Sequence, residues 1–159
     1  MQYFSSFHSS LGRIFCLSDG ISLTGVYFKN HKPCLIIDKS WIRDQRLTIF
    51  DVTKTQFLSF LNAKRKKFEI PLTYAGTKFE RSVWEALSKI PYGQTVSYTE
   101  IAEEIGNADG VRAVGRAISR NPISVVIPCH RVISKNGSIS GYAGGIERKL
   151  RLLKLEKGF

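Results

Sequence analysis

Two helix-start signals constrain the second half of this 159-residue chain more than any other feature of its sequence. Thr77 and Glu80 form a T-x-x-E capping box, and Ser97 and Glu100 form the same pattern with serine. Apolar residues recur on one helical face after the first box, at Phe79, Val83, Leu87 and Ile90. The tripeptide PYG at 91–93 then ends that helix. A helical second half is therefore predicted, with helices that begin near residues 77 and 97.

Two short helices are predicted between residues 97 and 120. The first ends at Gly106, the stretch NADG forms a turn, and the second runs from about Val111 to Arg120. Short helices joined by a glycine-containing turn indicate a helix-turn-helix. Arg112, Arg116 and Arg120 share one face of the second helix. That face suits either contact with phosphates or simple exposure to solvent.

The first part of the chain is predicted to be rich in β-structure. Its strand and helix candidates are Gln2–Phe7, Arg13–Leu17, Ile21–Phe28 and the helical Leu47–Ala63. The stretch FEIPLTYAGT at 68–77 has the composition of a linker. We therefore predict a mixed α/β (α+β) fold with an N-terminal α/β domain at 1–70 and a second domain at 76–159.

The net charge of +11 favours a polyanionic partner. No acidic residue occurs from Gly110 to Ile146, a window that contains Arg112, Arg116, Arg120, Arg131 and Lys135. We interpret this window as a phosphate-facing surface, and a generally basic, solvated face is the alternative. Three cysteines, an odd number, argue against a disulfide framework and for a reducing compartment. No apolar run approaches the roughly 20 residues of a membrane span, and no secretory signal begins the chain. We expect a cytoplasmic protein that does not contact a membrane.

Cys129 differs from the other two cysteines because Pro128 precedes it and His130 follows it. Proline cannot donate to a sheet ladder, so the apolar run 123–127 is predicted to be a strand that ends there and exposes the cysteine. A basic neighbourhood lowers the pKa of a thiol and favours the nucleophilic thiolate. Neighbours on a strand point to opposite faces, so His130 reaches Cys129 only through a bend or a water molecule. Glu156 is the candidate carboxylate for orienting the imidazole.

The C-terminal region combines a glycine-rich loop with a helix. Glycines in GYAGG, at 141–145, let the backbone approach a ligand closely, and Tyr142 either walls a planar substrate or packs in a tight loop. The last helix is predicted to begin near Ile146, with Ile146, Leu150 and Leu153 packing inward and Leu152 as a further candidate. No zinc-ligand spacing is recognisable among His8, Cys16, His31 and Cys34, so we predict no metal and no cofactor.

Four stretches occur in order at close spacing: GTKFERSVWEALSKIPYGQTVSY, RAVGRAISRNP, IPCHRV and GYAGG...K..LL..E. Together they resemble the O6-alkylguanine-DNA alkyltransferases, also called methylated-DNA–protein-cysteine methyltransferases, over about residues 76–157. The resemblance implies an RNase H-like N-terminal unit and a mostly helical unit with a helix-turn-helix. It also implies DNA repair by stoichiometric transfer of the alkyl group from O6-alkylguanine in duplex DNA, with base flipping. Each protein molecule would act once as a methyltransferase.

The resemblance also assigns roles to individual residues. It implies that Cys129 is the nucleophile and acceptor, that His130 is the base acting through a water, and that Glu156 orients His130. Asn121 matches the asparagine that ties the recognition helix to the active-site segment. Tyr98 matches the tyrosine that can protonate the leaving guanine and helps to rotate the nucleotide.

Further positions match the family's contacts with the base and with the duplex. The guanine would be read by Tyr142, the backbone N–H of Ala143 and the carbonyl of Val132. Arg112 matches the arginine that fills the gap left by the extruded base. The expected DNA-binding set also includes Arg116, Ala113, Ala117 and Lys135.

The expected partner is therefore double-stranded DNA that contains O6-alkylguanine, bound through the minor groove by a monomer. Two other functions compete with this hypothesis. A lesion sensor that does not catalyse transfer would bind alkylated DNA, but relatives of that kind lack the acceptor cysteine. A thiol hydrolase using Cys129 and His130 would need an oxyanion hole and would leave the basic helix-turn-helix unexplained.

Overall fold

The computed structural model describes residues 1–139 and 141–157, which form two compact units. Unit 1 comprises Met1–Tyr74 and the short segment Pro122–Ser124. Unit 2 comprises Ala75–Asn121 and the described residues from Val125 onward. Strands dominate the first unit and helices the second, so the predicted mixed α/β class is confirmed.

Unit 1 is a four-stranded sheet with one helix. The sheet order is β3-β2-β1-β4, and its strands are β1 (Tyr3–Ser9), β2 (Gly12–Ser18), β3 (Leu23–Phe28) and β4 (Ile42–Arg43). The first three strands form an antiparallel meander, whereas β4 pairs with β1 in parallel. Helix α1 (Thr48–Leu61) buries Phe57 and Phe60, and the ring of Phe57 meets Phe7 of β1 edge-on at 5.7 Å. The three predicted strands and the predicted helix are confirmed within a few residues at each end.

Unit 2 contains four helices, a pair of two-residue strands and one 3₁₀ turn among its described residues. In chain order these are α2 (Lys78–Ser88), β5 (Val96–Ser97), α3 (Tyr98–Glu104), α4 (Val111–Ser119), the 3₁₀ turn (Cys129–Arg131), β6 (Val132–Ile133) and α5 (Ile146–Lys157). Helix α2 packs against α3 and α4, and the indole N–H of Trp84 donates to the carbonyl of Ala117 at 2.8 Å. Val83, Leu87, Ile101 and Val114 contribute to the buried interior of this unit.

Both predicted capping boxes are present. The hydroxyl of Thr77 accepts from the backbone N–H of Glu80, and the carboxylate of Glu80 accepts from the N–H of Thr77, each at 3.0 Å. Ser97 and Glu100 make the equivalent pair of bonds at the start of α3. These reciprocal bonds satisfy donors that a helix start otherwise leaves open. The side chain of Glu80 is therefore part of the cap of α2.

The prediction of an apolar strand over 123–127 is wrong. Only isolated bridges occur there, such as the pairing of Ile123 with Val26 of β3. Val125 has a φ of 70°, a left-handed conformation that interrupts any extended run. Ile123, Val125 and Ile127 are nevertheless buried. The apolar run thus reports burial, not backbone conformation.

The prediction for the inward face of α5 is partly wrong. Ile146 and Leu150 are 49% and 37% exposed, whereas Leu153 is buried as expected. The buried positions of this helix are Lys149, Leu152, Leu153 and Glu156. Two charged residues therefore face inward and displace the apolar stripe that hydropathy predicts. No helix in the described part of the chain is long and apolar enough to cross a membrane.

Removal of the first capping box should weaken unit 2. We expect Thr77→Ala to lower the free energy of unfolding by about 1 kcal/mol, because a donor at the start of α2 loses its partner. The measurement is urea denaturation followed by the fluorescence of Trp84 in a Trp41→Phe background. Thr55→Ala, at an exposed position inside α1, is the control and should cause no comparable loss. Equal stabilities of Thr77→Ala and its parent would contradict the prediction.

Candidate active site

A tight turn at Pro128 sets the position of Cys129. Pro128 has φ −81° and ψ 64°, the conformation of an inverse γ-turn. Accordingly, the N–H of Cys129 donates to the carbonyl of Ile127 at 2.8 Å. The side-chain amide of Asn121 donates to the same carbonyl, also at 2.8 Å. Asn121 thereby closes the loop that leads from the end of α4 to the cysteine.

The chain then coils into the 3₁₀ turn Cys129–Arg131, in which all three side chains are buried. The backbone therefore bends at Cys129 and His130 and is not an extended strand here. Strand β6 follows directly and pairs in parallel with β5, where Val132 lies opposite Val96. The pairing fixes the cysteine turn beside the start of α3, which carries Tyr98.

Glu156 on α5 is the centre of a buried hydrogen-bond network. Its carboxylate accepts from Nε2 of His130, from Nε of Arg131 at 2.8 Å and from the backbone N–H of Gly93 at 3.0 Å. Its side chain is 1% exposed. Burial opposes the charge, but the hydrogen bonds from His130 and Arg131 lower the pKa of Glu156 to about 2. The carboxylate is therefore ionised at neutral pH.

Arg131 is a structural cation and does not face solvent. It is 7% exposed, and its Nη1 donates to the carbonyl of Ile90 at 2.8 Å while Nε pairs with Glu156. Its guanidinium also lies 5.7 Å from the centre of the Tyr92 ring. The sequence analysis placed Arg131 in a phosphate-facing window. That interpretation is wrong, because Arg131 forms an ion pair with the buried carboxylate of Glu156.

His130 is fully buried and presents its second ring nitrogen to the interior. Burial lowers the pKa of His130, so the neutral ring is favoured. Because Glu156 is ionised, the proton of that neutral ring belongs on Nε2, and Nδ1 keeps a lone pair. Nδ1 is buried and has no hydrogen-bond partner among the described residues. The ring is therefore oriented as a base whose accepting atom is still available.

The thiol of Cys129 lies in a buried polar setting and is 4% exposed. Burial raises the pKa of Cys129, whereas hydrogen bonds from Asn121 and Tyr142 and the positive charge of Lys149 work in the opposite direction. The sequence predicted an exposed thiol with a lowered pKa. Burial outweighs the basic surroundings here, so the resting thiol is protonated.

Lys149 is the K of the motif GYAGG...K..LL..E, but the sequence analysis gave it no role in the site. Its side chain is fully buried, and Nζ donates to the carbonyl of Gly141 at 3.2 Å. Burial lowers the pKa of Lys149, and interaction with Cys129 raises it. One signal was present in the sequence: Lys149 and Glu156 are seven residues apart and so share a helical face. Together the two place opposite charges in the interior of unit 2.

Two tyrosines border the thiol. The hydroxyl of Tyr142 is buried and interacts electrostatically with Cys129, and burial raises the pKa of Tyr142. Tyr98 is half-buried, and its pKa is raised by burial and by proximity to Cys129. Its hydroxyl lies close to Gly141, where an added Cβ would be 3.7 Å from the hydroxyl oxygen. Of the other two predicted pocket residues, Ala143 is half-buried and Val132 is buried.

The predicted DNA-binding residues lie apart from this network. Arg112 and Arg116 are exposed on α4, Ala113 is half-buried, and Lys135 is exposed in the loop after β6. Ala117 is 2% exposed, and its carbonyl accepts a hydrogen bond from the indole N–H of Trp84 inside unit 2. The third arginine of the stripe, Arg120, lies 3.7 Å from the carboxylate of Glu80.

Comparison with known proteins gives one consistent result. A family model described as "6-O-methylguanine DNA methyltransferase, DNA binding domain" matches residues 78–158. The methylated-DNA–protein-cysteine methyltransferase of Methanosarcina acetivorans is 42% identical, over 97% of each chain. The enzyme of the same name from Haemophilus influenzae is 39% identical, over 98% of this chain and 86% of the relative.

Solved structures agree with the sequence relatives. The crystal structure of Mycobacterium tuberculosis OGT in complex with DNA superposes with a TM-score of 0.91 at 36% identity, covering 98% of this chain and 93% of that one. The M. tuberculosis O6-methylguanine methyltransferase superposes with a TM-score of 0.89 at 37% identity, covering 99% and 94%. The family match, the relatives over nearly full length and the shared fold lead to one conclusion: this chain belongs to the methylated-DNA–protein-cysteine methyltransferase family.

Proposed function

We propose that this protein repairs O6-alkylguanine in duplex DNA by transferring the alkyl group to the sulfur of Cys129. The observation that carries the proposal is the buried series of Cys129, His130 and Glu156, in which Nδ1 of the histidine has no partner among the described residues. Relatives named for this activity match nearly the whole chain. A nucleophile, a base and an orienting carboxylate are the parts that activation of a weakly acidic thiol requires.

The first step is removal of the thiol proton. Nδ1 of His130 takes the proton from Cys129 through a water molecule, while Nε2–H remains bonded to Glu156. The imidazolium that forms is stabilised by the ionised carboxylate of Glu156. The thiolate that forms is stabilised by Lys149 and by the hydrogen bonds of Asn121 and Tyr142.

The second step is in-line displacement at the alkyl carbon. The sulfur forms an S–C bond as the C–O6 bond breaks, and the electron pair of the C–O6 bond leaves with the guanine. Tyr98 gives a proton to the departing base and recovers one from solvent. A thioether is a poor leaving group, and no residue is proposed to remove it. Each protein molecule therefore acts once.

Access to the base requires that the nucleotide leave the stack, which costs a few kcal/mol. We propose that Arg112 occupies the vacated place and that Arg116 and Lys135 contact phosphates. These residues are exposed cations, and Arg112 and Arg116 have no ion pair among the described residues. Small Ala113 allows α4, the second helix of the proposed helix-turn-helix, to lie in the minor groove of DNA bound by a monomer.

The domain roles follow from this assignment. We propose that residues 76–159 form the DNA-binding and alkyl-acceptor domain, and that residues 1–70 form an RNase H-like supporting domain. Tyr142, the N–H of Ala143 and the carbonyl of Val132 would read the flipped guanine. Neither a metal nor a cofactor takes part in the proposed reaction, which would take place in the cytoplasm.

The decisive experiment is intact mass spectrometry after incubation with a duplex that contains O6-methylguanine. We expect the mass to rise by a single methyl group per molecule, on the peptide that contains Cys129, with no further gain. Cys129→Ser should bind the duplex and gain nothing, because an alcohol is a much weaker nucleophile than a thiolate. Cys34→Ser, which removes an exposed cysteine, should react like the parent. Tight binding without a mass gain in the parent would instead indicate a lesion sensor.

Lys149 should control the acidity of Cys129. In a Cys34→Ser background, we expect Lys149→Met to shift the alkylation of Cys129 by iodoacetamide to higher pH, because a positive charge near the sulfur is lost. Lys154→Met removes an exposed cation from the same helix and is the matched control. The readout is the rate of modification at a series of pH values. Superimposable profiles for the two variants would show that Lys149 acts only through packing.

Glu156 should make the fold sensitive to acid. Its pKa is about 2 in the folded protein against an ordinary 4.5, so its stabilisation is complete above about pH 4.5 and is lost as the pH falls towards 2. We expect Glu156→Gln to lower the free energy of unfolding by about 3–5 kcal/mol at neutral pH, since Arg131 is left buried without its counter-ion.

In the same variant, the free energy of unfolding should depend less on pH below 4.5 than it does in the parent. Urea denaturation from neutral to acidic pH measures this dependence. Glu147→Gln removes an exposed carboxylate from the same helix and should behave like the parent. A parallel acid-induced loss in the parent and in Glu156→Gln would contradict this assignment.

A further inference from the structure

One edge of the unit 1 sheet is only partly covered. Strand β1 pairs with β2 along its whole length, but with β4 only at Tyr3 and Phe4. On that second edge, the carbonyl of Gln2 accepts from the N–H of Ile42, and the carbonyl of Phe4 accepts from the N–H of Asp44. Beyond this point, no described strand continues the ladder.

The uncovered stretch presents a regular row of backbone groups. In an antiparallel strand, every second residue directs both its N–H and its C=O away from its partner. Since Gln2 and Phe4 face the second edge, Ser6 and His8 face it too. The described residues make no hydrogen bond to the backbone groups of Ser6 and His8 on this edge. Such an edge is a template for another strand.

A groove of about 510 Å³ lies beside this edge, between β1 and α1. We call it the β1-edge groove. Phe7, Cys16 and Phe50 are buried and form an apolar floor. A strand added to β1 would lie about 4.8 Å away, inside this groove. The volume falls in the ordinary range for ligand sites, about 300–1,000 Å³.

Two cationic side chains, Arg13 and Lys54, line the groove. Nη1 of Arg13 donates to the hydroxyl of Ser6 at 2.9 Å, and Nη2 lies 2.8 Å from Nε2 of His8. These bonds hold the guanidinium in place but use two of its five N–H donors. Arg13 and Lys54 have no ion pair among the described residues, and Asp51 is the acidic residue of the lining. The groove therefore offers directed donors to a carboxylate.

We propose that the β1-edge groove binds an extended acidic segment of a partner protein as an additional strand beside β1. Side chains of an added strand alternate between two faces. One face carries Arg13 with Ser6 and His8, and the other carries the apolar floor at Phe7 and Phe50. The preferred segment therefore alternates acidic and apolar residues. Main-chain bonds to Ser6 and His8 supply affinity, and this alternation supplies selectivity.

The positive charge of the chain opposes binding of a second copy and favours a peptide of opposite sign. Residues 1–74 contain eleven Lys and Arg residues against five Asp and Glu residues, and the whole chain carries +11. Nucleic acid would also satisfy the cations. An extended peptide, however, can pair with a row of alternating N–H and C=O groups and place apolar side chains on the floor, whereas nucleic acid cannot.

The test is an NMR titration of the full-length ¹⁵N-labelled protein with a short capped peptide of alternating glutamate and valine. We expect the largest shifts at the amides of Ser6 and His8 and at the Arg13 side chain. A lysine–valine peptide of equal length should cause none of them. Arg13→Gln should weaken binding at least about tenfold, because a charge-assisted hydrogen bond is lost. Lys64→Gln, an exposed cation of the same unit outside the groove, should not.

Backbone methylation of the peptide tests the strand geometry directly. Two peptides are N-methylated on alternate residues, in complementary positions. Their affinities should differ sharply, since only one set of amides faces β1. Equal affinities, shifts confined to α4, or no shifts at millimolar peptide would each overturn the proposal. This outcome is independent of alkyl transfer, which the mass measurement reports separately.

Discussion

The buried carboxylate of Glu156 is the interaction on which the active site depends. A negative charge near the C-terminus of a helix is unfavourable, and so is its burial. Three donors offset these costs: Gly93 after α2, and His130 and Arg131 in the 3₁₀ turn. The carboxylate thus joins α5, the α2 exit and the cysteine turn. Because Arg131 supplies the compensating charge, His130 can remain neutral and serve as a base.

The charges around the sulfur suit an anion that exists only briefly. Arg131 and Glu156 neutralise each other, Lys149 adds a positive charge, and burial keeps Cys129 protonated at rest. A thiolate formed by proton transfer to His130 would meet a positive surplus already in place, so little reorganisation is needed. A permanently ionised thiol would be open to oxidation and to adventitious alkylation. A single-use acceptor loses its function through either reaction.

Structural features that depend on neighbouring residues were predictable from the sequence, whereas features that depend on residues distant in the chain were not. The capping boxes at Thr77 and Ser97 fix helix starts within four residues of chain, so sequence suffices. The run 123–127 was misassigned because burial of apolar residues looks alike in a strand and in an irregular loop. On α5, Lys149 faces inward, where Nζ donates to the carbonyl of Gly141 and the positive charge acts on Cys129. Hydropathy alone assigns such a residue to the surface.

The loop between α4 and Cys129 explains how contact with DNA can reach the nucleophile. Asn121 follows α4, and its amide and the N–H of Cys129 share one acceptor, the carbonyl of Ile127. Val125 between them holds a left-handed conformation that costs about 1–3 kcal/mol and persists only where surrounding contacts impose it. The two hydrogen bonds tie the residue after α4 to the residue that precedes the cysteine turn. Under the proposed function, the helix that carries Arg112 and the turn that carries the thiol are therefore linked by hydrogen bonds to one carbonyl.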